Sequence, residues 1–329
     1  MIGEYIYEEF KQLYVDISNG LTASSISERH PLVAQLPLDR KYLDRSNYLI
    51  VLALDGGRMQ LCNWIPSESE NGKAKKHLHW HECKVFRVSV YDKSAWTDMT
   101  KAIKDVAGNG KYKSARIIPG LTTYGATNSS WKDTAWLIQS HLYMRGIGLE
   151  DIELCISDGS EHIHNDVLIP MFPDVPHVLD YYHKAEALYK CTNIIGKKGS
   201  KTEERLKQHL WNGKINELIQ ELRDMQSIVG FPEEGKRRKS DDPKIIYDNF
   251  INHLEKNKSR MKYDEFRKRG YPIGSGCIES AVKLFSKRIK GTEKQWCDEG
   301  GEAILHLYSF LLSEDNRWDL FWQYHRPWK

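Results

Sequence analysis

The chain has 329 residues, 40% of them hydrophobic and 28% charged, with a net charge of only +3. That length suggests two domains, or one domain with a large insertion, around a real core. No apolar run approaches a membrane span, the start MIGEYIYEEF is not signal-like, and six dispersed cysteines without a CxxC pair point to reduced thiols in a cytosolic protein rather than a disulfide frame. With so little net charge, any case for a nucleic-acid partner rests on where the cations sit.

Residues 1–46 carry the weakest pattern, with a short helix expected near Tyr5–Val15. From Tyr48, YLIVLAL is a continuous apolar run ending at Asp55-Gly56-Gly57, followed by RMQLCNWI. Two strand-like runs around Asp-Gly-Gly predict a hairpin with the Asp55 carboxylate at the mouth of its turn. Next, His77, His79, His81 and Cys83 alternate along a strand lead-in. Zinc is the sharp reading of such residues, but four ligands in a row on one strand cannot close a tetrahedron, and a half-exposed strand is the plainer one.

Further along, WTDMTKAIKDV has a helical pattern, and SARIIPGLTTYGAT reads as a short strand and loop. The stretch from Ser130 predicts a helix capped near Gly146. Two short strands follow, IELCIS ending at Asp158 and HVLD ending at Asp180, separated by the helical SEHIHNDVLIPMF. Carboxylates at the C-terminal ends of strands are where open α/β sheets place their chemistry, although each also serves as a helix cap or turn residue. Asp180 and His183 are three apart and face the same way.

From Lys184 to about Gly270 no strand pattern occurs, and the reading is an all-helical insertion. Its tail is basic: Lys256–Lys294 holds twelve Lys/Arg against four Asp/Glu, a net +8. Within it, PIGSGCIES punctuates the chain and opens a helix whose apolar face is Ile278, Val282, Phe285 and Ile289. Glu279 stands beside that face, with Lys283, Lys287 and Lys290 stacked behind it. A carboxylate followed by a row of cations suits a metal plus a polyanion; a solvated helix face is the bland alternative. Arg288 and Lys294 add to the cationic segment, and Trp296 is either a base-stacking ring or a partly buried anchor. The C-terminal Glu302–Leu312 run is helical, and Trp318, Phe321 and Trp322 are expected to pack against the sheet.

Asp55, Asp158 and Glu279 are separated by 103 and 121 residues. Strand Asp, strand Asp and helix Glu, in that order, fit a ribonuclease-H-like core, an α/β mixed sheet flanked by helices and interrupted by an all-helical insertion before the third acid. Such carboxylates hold two divalent ions for attack on a phosphodiester, and oxygen ligands suit Mg2+ or Mn2+.

On these residues the chain resembles the Kra-type group of bacterial insertion-sequence transposases, distant relatives of Mutator-like DDE enzymes. The resemblance runs through Asp55-Gly56-Gly57, Ser157-Asp158-Gly159, VLDYYHKAEAL and, most specifically, PIGSGCIESAVK with Trp296, Glu299-Gly300-Gly301 and AILHL after it. It covers roughly Tyr48–Trp322. It implies Asp55, Asp158 and Glu279 as the metal-binding triad, and Asp180 with His183 as an ordering pair or a DNA contact beside it. It also implies DNA cleavage and strand transfer at insertion-sequence ends, DNA as partner, a homo-oligomer on DNA, and a nucleoid-associated cytoplasmic location. The expected organisation is 1–46 an N-terminal segment, 47–183 the first part of the core, 184–270 the insertion, and 271–329 the rest of the core. Family members carry a longer region ahead of the first Asp, so the resemblance allows a shortened copy that only binds DNA, or end recognition through the insertion and tail. A carboxylate-pair hydrolase acting on a small substrate is the reading from another class.

Overall fold

The computed structural model describes residues 2–31, 36–65, 75–95, 115–232, 241–290 and 294–324. At its centre is a mixed six-stranded sheet flanked by helices. Strands β1 (Tyr48–Ile65) and β2 (Lys75–Asp92) pair antiparallel over their whole lengths, from Tyr48 opposite Asp92 to Ile65 opposite Lys75. On the far edge of β2 lie β3 (Arg116–Ile117) and β4 (Thr123–Thr127), both antiparallel to it. On the other side of β1, β5 (Leu154–Ser157) and β6 (His177–Leu179) run parallel to it and to each other.

The apolar run in β1 is continuous because both faces of the sheet are covered. Leu49, Val51 and Ala53 join one buried cluster, while Ile50, Leu52 and Leu54 join the other, as a period of two requires. The second cluster packs under α1 (Ile2–Ser18) and α3 (Trp131–Met144), with α2 (Ala23–Arg29) beside them. Ile6, Phe10 and Leu13 of α1 are buried there, so the N-terminal segment is part of the core.

The hairpin reading at Asp55-Gly56-Gly57 is corrected: β1 passes straight through, with Gly56 opposite Lys84 and Gly57 opposite Cys83. Residues 66–74, between the two strands, lie outside the described residues. These glycines serve close packing instead of a turn. A Cβ at Gly56 would collide with the Glu82 carboxylate, and one at Gly57 would lie 2.9 Å from Cys83 Sγ and 3.0 Å from Val282 Cγ1. The helix read at WTDMTKAIKDV likewise lies outside the described residues.

After β6 the chain is helical: α4 (Tyr181–Ile194), α5 (Lys201–Trp211), α6 (Ile215–Asp224), α7 (Pro243–Lys256) and α8 (Tyr263–Lys268). No strand interrupts them among the described residues, as the lack of a strand pattern there predicts. Asp180, Ser200 and Asp242 cap three of these helices through their side chains. Their apolar faces share the first sheet cluster, where Leu188, Leu206, Leu218 and Tyr247 join Ile156 and Val178. The insertion is thus a layer on one face of the sheet.

The chain returns through α9 (Gly276–Ile289), α10 (Asp298–Leu312) and α11 (Arg317–Tyr324). Phe321, expected on the sheet, is buried with Tyr5 of α1 and Phe310 of α10 around it, at ring separations of 6.4 and 6.2 Å. A buried ionic knot holds this end. Arg317 Nε donates to Asp315 Oδ1 at 2.7 Å, Thr123 Oγ1 donates to Asp315 Oδ2 at 2.8 Å, and Arg145 Nε lies 3.6 Å from Asp315 Oδ2. Arg317 Nη1 also reaches His141 Nδ1 at 3.0 Å. Burial, and then the Arg317 charge, push the His141 pKa well down, so the ring accepts as a neutral imidazole. Asp315→Ala strands two buried guanidinium groups and should lower stability by about 3–5 kcal/mol. Urea denaturation checks this against Glu186→Ala, whose exposed pair with Lys190 is screened by water, so that its loss should leave the midpoint nearly unchanged.

Candidate active site

Register brings the acids together. In the parallel part of the sheet Leu54 is paired with Ser157, and Ser157 with Leu179. The next residues on those three strands are Asp55, Asp158 and Asp180, which therefore form a row across neighbouring strands about 4.8 Å apart. Asp158 Oδ1 accepts the Ser160 N–H at 2.9 Å, which fixes the turn after β5.

Glu279 reaches the row from α9. That helix crosses β1 where Gly57 leaves room, with Val282 over it. The chain entering α9 is tied down by Asp180, which is completely buried. Its Oδ1 accepts the His183 N–H at 2.6 Å, and its Oδ2 accepts the Ser275 N–H. Alongside, the Tyr181 N–H donates to the Ile273 carbonyl at 2.9 Å. A Cβ on Gly274 would lie 2.7 Å from the Tyr182 ring, so this approach requires glycine. Ser275 Oγ then donates to Glu279 Oε1 at 3.2 Å. Asp180 thus spends both oxygens on backbone amides and works by holding Ser275, and through it Glu279. His183 stands between the two acids, Nδ1 3.6 Å from Asp180 Oδ1 and Nε2 4.0 Å from Glu279 Oε1.

The electrostatics follow from this crowding. The Asp55 pKa is raised to about 6, first by burial and next by the charge of Asp158. The Gly56 N–H and His183 act in the opposite direction, and Glu279 adds to the rise. Asp158 and Glu279, 103 and 224 residues along the chain from Asp55, therefore both act on its carboxyl. Carboxylate oxygens crowded in this way are the kind of donor that could hold a hard divalent cation. Among the described residues, the group whose ligand atoms all lie within 4.8 Å of one another is Asp180, His183 and Glu279; Asp55, Asp158 and Glu279 do not come that close together.

The cations expected behind Glu279 lie on its helix. Lys283, Lys287 and Arg288 are exposed on α9, with Lys283 Nζ 3.8 Å from Glu279 Oε2 and the Arg288 guanidinium 5.8 Å from the Tyr308 ring centre. Lys290 caps the helix, and Lys294 Nζ donates to the Lys287 carbonyl at 3.2 Å. Trp296 is an anchor: its Nε1–H donates to the Ile289 carbonyl at 3.1 Å, and its carbonyl accepts the Cys62 N–H at 2.7 Å.

The histidine row of β2 lies on one side of the strand, with ring separations of 5.3 Å for His77–His79 and 6.5 Å for His79–His81. His81 Nε2 bonds the Asn128 carbonyl at 2.6 Å, and His79 Nε2 lies 3.8 Å from Asp298. Cys83 is buried, and burial pushes its thiol up to about 11; His77, His79, His81 and Cys83 do not gather three ligand atoms within 4.8 Å of one another, in keeping with a half-exposed strand. All six cysteines are free.

Sequence reasoning missed Lys184, His253 and Arg260, which gather near Asp158. It also missed the part played by Ser275, although the Gly-Ser-Gly motif singled that residue out. Comparison of the chain with protein-family models, with curated proteins and with solved structures finds no match in any of the three.

Asp55 gives a pH-dependent prediction. A carboxyl whose folded pKa, about 6, exceeds its unfolded value of 3.8 binds its proton more tightly when folded. Its contribution to stability is present below about pH 4 and lost as pH rises through 6. Asp55→Asn should therefore stabilise the metal-free protein at pH 8, by up to about 3 kcal/mol for a shift near two units, and change little at pH 4. Denaturant titrations in EDTA at the two pH values measure the difference; an equal effect at both would show that Asp55 is not the strained acid.

Proposed function

We propose that the chain is a DDE transposase that cleaves DNA at insertion-sequence ends and transfers the cut strand. The observation that carries this reading is the strand register that sets Asp55 beside Asp158, with Glu279 near enough to raise the Asp55 pKa further. The strand order supports the ribonuclease-H-like form of it: an antiparallel β1–β2 hairpin with further strands on one edge, then two parallel strands beside β1. The all-helical insertion between β6 and the helix bearing Glu279 agrees with the same architecture.

In this reading Asp55, Asp158 and Glu279 would hold two Mg2+ or Mn2+ ions. When bound, these activate the attacking water or 3′-hydroxyl and stabilise the departing oxygen. The other roles belong to the chain. Asp180 and Ser275 fix the position of Glu279, and His183 stands at the rim to meet the DNA beside the cut. Lys283, Lys287, Arg288, Lys290 and Lys294 supply phosphate contacts along one edge. The reading implies DNA ends and target as partners, a homo-oligomer that pairs two ends, and work in the cytoplasm on nucleoid DNA. Among the described residues no helix is long and apolar enough to cross a membrane.

Cleavage of labelled DNA carrying the flanking terminal repeats, with and without Mg2+, tests the proposal. Glu279→Gln should abolish cleavage and leave DNA affinity nearly unchanged, because the variant loses a metal-binding charge and no cation. Binding without metal-dependent cutting by the wild-type protein would instead favour a remnant that only binds DNA. A second measurement addresses the basic helix. Replacing Lys283 and Lys287 by Ala should weaken binding of all duplex sequences alike and flatten the slope of log affinity against log salt by about 2. An unchanged slope would mean that the row faces solvent in the complex.

A further inference from the structure

Near Asp158 lies a cation that the carboxylate triad does not account for. Lys184 sits in the first turn of α4, four residues after Asp180, and is only 8% exposed. Its Nζ is 2.9 Å from His253 Nε2. An ammonium group has no lone pair, so His253 must accept at Nε2 and carry its own proton on Nδ1. Consistent with a neutral ring, the His253 pKa is pushed down to about 4, by burial first and then by Lys184 and Arg260. Burial also lowers the Lys184 pKa, while Asp158 and Asp180 both pull it back up, so the ammonium lies within the field of two acids of the row.

His253 belongs to α7, in the helical insertion, and it presses directly on the loop that carries Asp158. A Cβ on Gly159, whose φ is +101°, would lie 3.3 Å from His253 Cε1 and 3.0 Å from Leu179 Cδ2. A second line of contacts runs alongside. Arg260 Nη1 reaches His177 Nδ1 at 3.4 Å, His177 Nε2 bonds Ser157 Oγ at 2.9 Å, and Ser157 Oγ accepts the Gly159 N–H at 3.2 Å. The insertion thus sends two polar groups to one catalytic turn.

The geometry points to Lys184 as a resident counter-cation of the carboxylate site, held off the acids by His253, so that the helical insertion sets how tightly the site binds a divalent ion. This rests on the metal-binding reading of Asp55, Asp158 and Glu279. With His253 in place, the ammonium spends a hydrogen bond on a neutral acceptor and leaves the carboxylates free. Without that acceptor it turns toward Asp158 and Asp180 and competes with the ion. The two halves of the pair therefore act on metal affinity with opposite signs, which a merely structural contact would not do.

The test is Mn2+ affinity of the full-length protein without DNA, read from the free-ion electron paramagnetic resonance signal. Lys184→Met should bind Mn2+ about tenfold more tightly, the scale of a one-unit electrostatic shift from a neighbouring charge. His253→Leu should bind it more weakly, and Lys184→Arg should stay near wild type. Circular dichroism verifies that each variant is folded. If Lys184→Met does not fold, the fall in affinity of His253→Leu carries the test alone. Folded Lys184→Met with unchanged or weaker affinity overturns the counter-cation, as does His253→Leu with unchanged or tighter affinity. Wild-type protein that binds no Mn2+ overturns the metal-site reading itself, a failure distinct from the other two.

Discussion

The fold around the site depends on one buried carboxylate. Asp180 accepts N–H bonds from His183 and Ser275 while fully shielded from water. Charge-assisted bonds of this kind are about twice as strong as neutral ones, and leaving either amide unmet in the interior costs more than making it. What they join is the end of β6, the start of α4 and the approach to α9, residues 95 apart in sequence. Everything between them is the helical insertion. Because the two ends are pinned by Asp180 to Ser275 and by Tyr181 to Ile273, the length in between adds little, since loop closure cost grows only logarithmically. The large insertion and a precise Glu279 coexist for this reason.

The same arrangement stores electrostatic strain. A row of three aspartates across adjacent parallel strands is unfavourable in an apolar sheet, and the chain lessens it unevenly. Asp180 is satisfied by amides, Asp158 is turned into a loop where Ser160 holds it, and Asp55 is left in mid-strand with a raised pKa. Local rules are broken where a ligand would restore balance, which is how functional sites commonly stand out against an otherwise consistent fold. The glycines beside Asp55 belong to this compromise. They weaken the strand as a strand, yet Gly57 lets α9 approach closely enough for Glu279 to act on Asp55.

Much of this was legible in the sequence because it is local. The continuous apolar run of β1, the strand ends at Asp158 and Asp180, the helices after Tyr181 and the opening of α9 all follow from neighbours within a few residues. The Asp-Gly-Gly turn misled for an equally local reason: the tripeptide is a strong hairpin signal, and only the packing of Val282 and Cys83 reveals why Gly57 stands in a continuous strand. The pairing of Lys184 with His253 left no trace at all. Each is an ordinary helix residue, and the partner is chosen by how α7 lies on the sheet, 69 positions away. The roles of Asp180 and Ser275 fall between these cases, since the residues were conspicuous and their bond was not.

Glu279 and the exposed cations share α9, a single helix whose first turn is seated by Ser275 and whose apolar face, Ile278, Phe285 and Ile289, is buried. The acid and the lysines cannot shift relative to each other without unseating that face. Lys283 lies 3.8 Å from Glu279, but it is so exposed that their attraction is worth little in water, and it is free to exchange the carboxylate for a phosphate. A polyanion drawn to Lys283 and Lys287 would then be registered against Glu279 by the pitch of the helix, about 6 Å for each four-residue step. Affinity would come from the cations and reactivity from the acids. The two are separable by substitution even though one rigid element carries both.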